Sequence, residues 1–206
     1  GVYGFLHTPQ QPTGSGLVLT HGAGANCQAP LLVALAREFC QNGFAVLRYE
    51  LQFRKLRSHG PPMPGSAELD RQAIRTAVQF LRGKVSGRLF AGGHSYGGRQ
   101  TTMLLAEDPG LADGLLLLSY PLHPPKKPTQ RRTAHFPDLR TPALFVHGIR
   151  DGFGSIAEMT EALKLIPART ELMPIEGGHE LLSKKNAESL PPRIMEAFAT
   201  MFSEAT

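Results

Sequence analysis

The chain has 206 residues, 41% of them hydrophobic and 19% charged, with 22 lysines and arginines against 17 aspartates and glutamates for a net charge of +5. A chain of this length buries roughly 70% of its unfolded surface, which predicts one domain over 1–206 and excludes a disordered or fibrous protein. No apolar run approaches the ~20 residues of a membrane span, so no membrane partner is expected.

The chain opens on a strand-like "VYGFL" with no recognisable leader. "GLVLT" at 16–20 follows, apolar on both faces, and runs into the glycine-rich loop "HGAGAN" at 21–26. Residues 29–42 place Leu31, Leu32, Leu35, Phe39 and Cys40 on one helical face and stop at Asn42-Gly43, a helix C-terminal signal. The next strand is "FAVLRY" at 44–49, and an irregular, proline-bearing stretch is expected over 50–65. A second helix is predicted over 66–82, with Ile74, Val78 and Leu81 turned inward. Further strands are read at 88–92, 115–120, 142–147 and 170–175. Short apolar runs of this kind suit the buried strands of a parallel sheet. Between them, Ser155 with Glu158 three residues on reads as a helix capping box, and a last helix is expected from Pro191-Pro192 to Phe202. The alternation predicts an α/β three-layer sandwich of about seven mostly parallel strands, with helices on both faces.

Four glycines surround one serine in "GGHSYGG" at 92–98, where a buried strand meets a helix. Glycine costs about 0.5–1 kcal/mol in a regular element, so the cluster suggests a bend in which a Cβ would clash. The G-x-S-x-G spacing, Gly93 to Gly97, lets Ser95 project its hydroxyl beyond the sheet edge. Two partners lie after later strands. Asp151 follows the run at 142–147 and His179 follows the run at 170–175, both at the C-terminal edge where ligands bind in open α/β sheets. A serine hydroxyl needs a base, and the base needs a group that holds its tautomer; Ser95, His179 and Asp151 supply all three. The amides of Ala23, on the loop after 16–20, and of Tyr96, at the helix start, are the expected oxyanion donors.

These four elements, each after a strand and in this order, resemble an α/β-hydrolase of the small, cap-poor kind similar to dienelactone-hydrolase-like proteins, over nearly the whole chain. The resemblance implies Ser95 as nucleophile, His179 as general base and acid, Asp151 as the orienting carboxylate, and an acyl-enzyme intermediate. The dienelactone hydrolases carry a cysteine nucleophile where this chain has Ser95. The expected activity is hydrolysis of a small carboxylic ester or thioester without cofactor or metal. A peptidase or acyltransferase of the same fold, and a non-catalytic scaffold, are the alternatives. An intact Ser-Asp-His set argues against the scaffold.

Gly24, His94, Arg48 and Tyr120 are the candidate substrate-binding residues. His21 resembles the family's loop histidine, which implies a buttress of the glycine-rich loop, and His147 is read as a satisfied core or loop residue. His59, His123 and His135 lie in irregular stretches without metal-ligand spacing. Asp113 precedes its strand, on the wrong edge, and Glu176 is a weak rival to Asp151. Arg99 and Gln100 are read as structural. The basic stretches 48–57 and 126–132 read as solvated loops rather than a nucleic-acid surface. Their place after strands puts Arg48, Arg54, Lys55 and Arg57 on one side of the pocket mouth, and Lys126, Lys127, Arg131 and Arg132 on the other. An anionic ester is the corresponding substrate expectation. Cys27 and Cys40 are too few for a disulfide framework, which points to the cytoplasm. The connection 121–141 is too short for a large helical lid, so short acyl groups are favoured, and a monomer or small homo-oligomer is expected.

Overall fold

The computed structural model describes residues 1–203. Seven strands form one sheet: β1 (Gly4–His7), β2 (Gly16–Thr20), β3 (Ala45–Tyr49), β4 (Leu89–His94), β5 (Gly114–Leu118), β6 (Ala143–Gly148) and β7 (Thr170–Ile175). Their order is β1-β3-β2-β4-β5-β6-β7, with β1 antiparallel to β3 and every other pair parallel. Six helices connect them: α1 (Pro30–Gln41), α2 (Gln52–Leu56), α3 (Ala67–Arg82), α4 (Tyr96–Glu107), α5 (Ile156–Leu163) and α6 (Leu190–Phe202). The architecture is the expected α/β sandwich.

The strands are apolar on both faces because each face carries its own core. On β5, Leu115 and Leu117 pack into the layer with α3, α4 and α5, while Leu116 and Leu118 pack into the layer with α1 and α6. β2 divides the same way, with Val18 on the first side and Leu17 and Leu19 on the other. Period-two alternation between two covered faces produces the unbroken hydrophobic runs. Helix ends follow local chemistry. α1 has proline in its first turn and stops before Gly43, whose φ of 87° only glycine adopts at low cost. At the start of α5, the Ser155 hydroxyl accepts from the Glu158 amide at 3.2 Å and the Glu158 carboxylate accepts from the Ser155 amide at 2.9 Å.

One expectation needs correction: the stretch 50–65 contains the five-residue helix α2. It is held through Asp70 of α3, whose carboxylate accepts the Phe53 amide at 2.9 Å and the Tyr96 hydroxyl at 2.7 Å. A single buried carboxylate thus ties α2, α3 and α4 together. The connection 121–141 contains only a short 3-10 turn at Phe136–Asp138. Among the described residues no helix is long and apolar enough to cross a membrane.

The strand order reverses at β2, which has β3 on one side and β4 on the other. Loops leaving β2 and β4 therefore diverge and open a crevice beyond the strand ends, the usual place for a ligand in such a sheet.

Candidate active site

Ser95 stands at that crevice, between the last residue of β4 and the first of α4. Its backbone has φ 50° and ψ −116°, a conformation that costs a non-glycine residue about 1–3 kcal/mol. The glycines around it make the turn sterically feasible. A Cβ at Gly93 or Gly97 would collide with the carbonyl oxygen of Thr20 or His21, because the loop after β2 passes against the elbow.

The strained turn delivers the Ser95 hydroxyl to His179, in the loop after β7, with Oγ and Nε2 2.8 Å apart. His179 Nδ1 lies 2.8 Å from Asp151 Oδ2, in the loop after β6. A carboxylate only accepts, so Nδ1 carries the ring proton and Nε2 is left to accept from the serine hydroxyl. In such a row the imidazole is placed to take the hydroxyl proton while the carboxylate stabilises the imidazolium that results. The Asp151 side chain is fully buried. Burial works against its charge, but hydrogen bonds from the His179 ring and the Phe153 amide outweigh it and hold the carboxyl below its ordinary range.

The surroundings fix the imidazole. The Phe153 ring lies against it with centroids 4.2 Å apart. His94, beneath, donates from Nε2 to the His179 carbonyl at 2.8 Å. Burial keeps the His94 ring neutral, as it does His147, whose Nε2 donates to the Gly154 carbonyl at 2.7 Å. His147 therefore braces the loop that carries Asp151.

The loop after β2 has its carbonyls turned toward the protein. His21 accepts the Leu51 amide at Nε2, so its Nδ1 proton goes to the Gly22 carbonyl at 2.9 Å. Arg54 of α2 donates to the carbonyls of Ala23 and Ala25, each at 2.8 Å, and also to those of Arg57 and Gly60. The amides of Ala23 and of Tyr96, the first residue of α4, donate to no acceptor among the described residues. Both residues line cavities that reach Ser95.

A cavity of about 490 Å³ is lined by Ala23, Gly24, His94, Ser95, Phe153 and His179, among others. It brings together the expected nucleophile, base, loop and two of the four substrate-binding candidates. The other two, Arg48 and Tyr120, are corrected. Arg48 is buried on β3, donating to His7 Nε2 at 3.0 Å and to the Cys27 carbonyl, and Tyr120 is buried with its hydroxyl on the Arg132 carbonyl at 2.7 Å. Neither lines a cavity at Ser95. The basic rim changes accordingly. Arg54 is spent on loop carbonyls, Lys55 donates to the Gly1 carbonyl, and Arg132 alone of the eight named cations lines a cavity that reaches Ser95.

Glu176 is exposed and paired with Arg150 at 2.9 Å, away from His179 Nδ1; Asp113 accepts the Leu89 amide at the opposite sheet edge. Cys27 is 1% exposed, and burial followed by the neighbouring Glu50 carboxylate pushes its thiol up to about 12. It offers no thiolate nucleophile. Burial works against the Glu50 charge, but the His21 ring beside it and the Cys27 amide, which donates to Oε1 at 3.0 Å, hold the carboxyl down to about 2. Phe153 escaped the sequence reading, although its place two residues beyond Asp151 was the available signal. Arg99 was read as structural, yet it lies four residues from Ser95, hence on the same side of the turn, and lines a second cavity at the serine.

Comparison with known structures places this geometry. Est1E from Butyrivibrio proteoclasticus, solved with ferulic acid bound, matches with a TM-score of 0.79 and 16% identity over 97% of this chain and 95% of that one. A monoacylglycerol lipase from Paleococcus ferrophilus matches at 0.77 and 15% identity over 98% and 99%. A dienelactone hydrolase from Anabaena variabilis matches at 0.72 and 20% identity over 98% of each chain. These likenesses show the fold. The sequence model of the alpha/beta hydrolase domain matches residues 13–205, nearly the whole chain, so the protein belongs to the alpha/beta hydrolase family.

Proposed function

We propose that the protein is a serine hydrolase of small carboxylic esters or thioesters, working as one catalytic domain through an acyl-enzyme on Ser95. The observation that carries this reading is the row Ser95 Oγ, His179 Nε2, His179 Nδ1, Asp151 Oδ2, with 2.8 Å at both links, set on a strained strand-to-helix turn. In the reaction His179 takes the hydroxyl proton as Oγ bonds to the substrate carbonyl carbon. The resulting oxyanion is met by the Ala23 and Tyr96 amides at the positive end of α4. The carbon–oxygen or carbon–sulfur bond to the leaving group then breaks, and His179 hands its proton to that group. Water repeats the cycle and releases the acid. The lipase name of one structural neighbour favours ester substrates.

Ser95→Ala should lower kcat/KM for 4-nitrophenyl acetate by at least ~10³-fold while moving thermal stability by no more than about 1 kcal/mol. Acetate and butyrate esters should be cleaved faster than palmitate, because among the described residues the connection 121–141 forms no helical lid, only a short 3-10 turn. Undiminished turnover in the Ser95→Ala variant would reject the mechanism.

A further inference from the structure

A second hollow, of about 510 Å³, adjoins Ser95 on the side away from His179. It is lined by Ser95 and Tyr96, by Pro62, Met63 and Pro64, and by Arg99 and Arg132. No carboxylate lines it. Both arginines are half-buried, and neither has an ion-pair partner among the described residues. Arg99 Nε is buried without a hydrogen-bond partner, and Arg132 Nη1 has only the Pro121 carbonyl at 3.3 Å.

This placement is unfavourable in three ways unless an anion joins it. Arg99 lies in the first turn of α4, where the helix dipole disfavours a cation. It stands near a like charge: Arg132 is shifted downward by burial and then by Arg99. His135, near Arg99, is pushed down to about 4 by burial and then by Arg99, so it brings no charge of its own to the hollow. Partly desolvated guanidinium groups without counter-charge are costly, and a bound carboxylate satisfies them with charge-assisted bonds.

The chemistry at Ser95 decides which end of a substrate enters. The leaving group must receive its proton from His179, which lines the first cavity and not the second. The acyl chain therefore occupies the second hollow. Resting on the ester-hydrolase reading of Ser95, we propose that Arg99 and Arg132 form an acyl-side anion subsite. It selects esters or thioesters of dicarboxylic acids, with the distal carboxylate on the two guanidinium groups.

The test compares ethyl hydrogen glutarate with ethyl pentanoate, which replaces the distal carboxylate by a methyl group. The wild-type ratio of kcat/KM, anionic over neutral, should exceed one by roughly 10- to 100-fold, the scale of charge-assisted bonds. It should fall toward one in Arg99→Met and in Arg132→Met, chiefly through KM, and in part in Arg99→Lys, which keeps the charge without the fork. A ratio unchanged in both methionine variants overturns the subsite. The subsite is also read without turnover. Ser95→Ala protein should bind ethyl hydrogen glutarate in calorimetry, and the added Arg99→Met change should abolish that binding. Retained binding overturns the proposal even if Ser95 proves not to be a nucleophile, and loss of wild-type ester turnover with binding intact counts against the hydrolase reading alone. Inorganic phosphate competing more strongly than glutarate would overturn the assignment to a carboxylate.

Discussion

At the scale of single residues, the protonation state of the site follows from what each side chain touches. Asp151 is held below the ordinary carboxylate range, so it stays ionised at pH 5 and above. Burial keeps the His94 and His147 rings neutral. The row works only while Nε2 of the imidazole is free to accept the hydroxyl proton, because a protonated imidazole cannot act as base. We expect kcat/KM for a neutral short ester to fall as pH drops, with a limiting slope of one proton. A slope of two would mean that the loss of activity takes up two protons and that a second group of the site is involved. Asp151→Asn should lower kcat by ~10³- to 10⁴-fold, because the amide no longer enforces the Nδ1–H tautomer.

At the scale of elements, the five-residue helix α2 has a role that its sequence conceals. The segment "QFRKL" is too short to display a helical period and was read as part of an irregular basic stretch. In the structure Arg54 points inward and gathers four backbone carbonyls, two of them from the loop that carries Ala23. Pulling these carbonyls inward fixes the loop against the elbow. Lysine in its place has one compact head and cannot span four acceptors. Arg54→Lys should therefore lower kcat by about 10-fold or more with little change in KM, since a misplaced oxyanion donor weakens the transition state rather than ground-state binding. A rise in KM at constant kcat would show that the loop binds substrate instead. Arg48 teaches the same lesson from β3, where it lies inside the protein beside Cys27 and His7. Position after a strand indicates an edge of the sheet but not the direction of a side chain.

At the scale of the whole molecule, the alternation of strands and helices and the loops after strands that carry Ser95, Asp151 and His179 were legible because they depend on signals that survive without tertiary context. Buried parallel strands such as "LLLL" at 115–118 are apolar on both faces, the capping box at Ser155 is local, and the glycines at 93 and 97 mark a steric demand. What escaped was decided by packing between distant segments. Asp70 linking three helices, the Phe153 ring against His179, and Arg99 with Arg132 beside Ser95 leave no single-segment pattern. The central claim is that this assembly activates one particular hydroxyl. Reaction with a fluorophosphonate, followed by peptide mass mapping, tests it most directly. The account predicts one stoichiometric adduct on Ser95, abolished in Ser95→Ala and greatly slowed in His179→Ala; an adduct on another residue, or an unreactive wild-type protein, would contradict it.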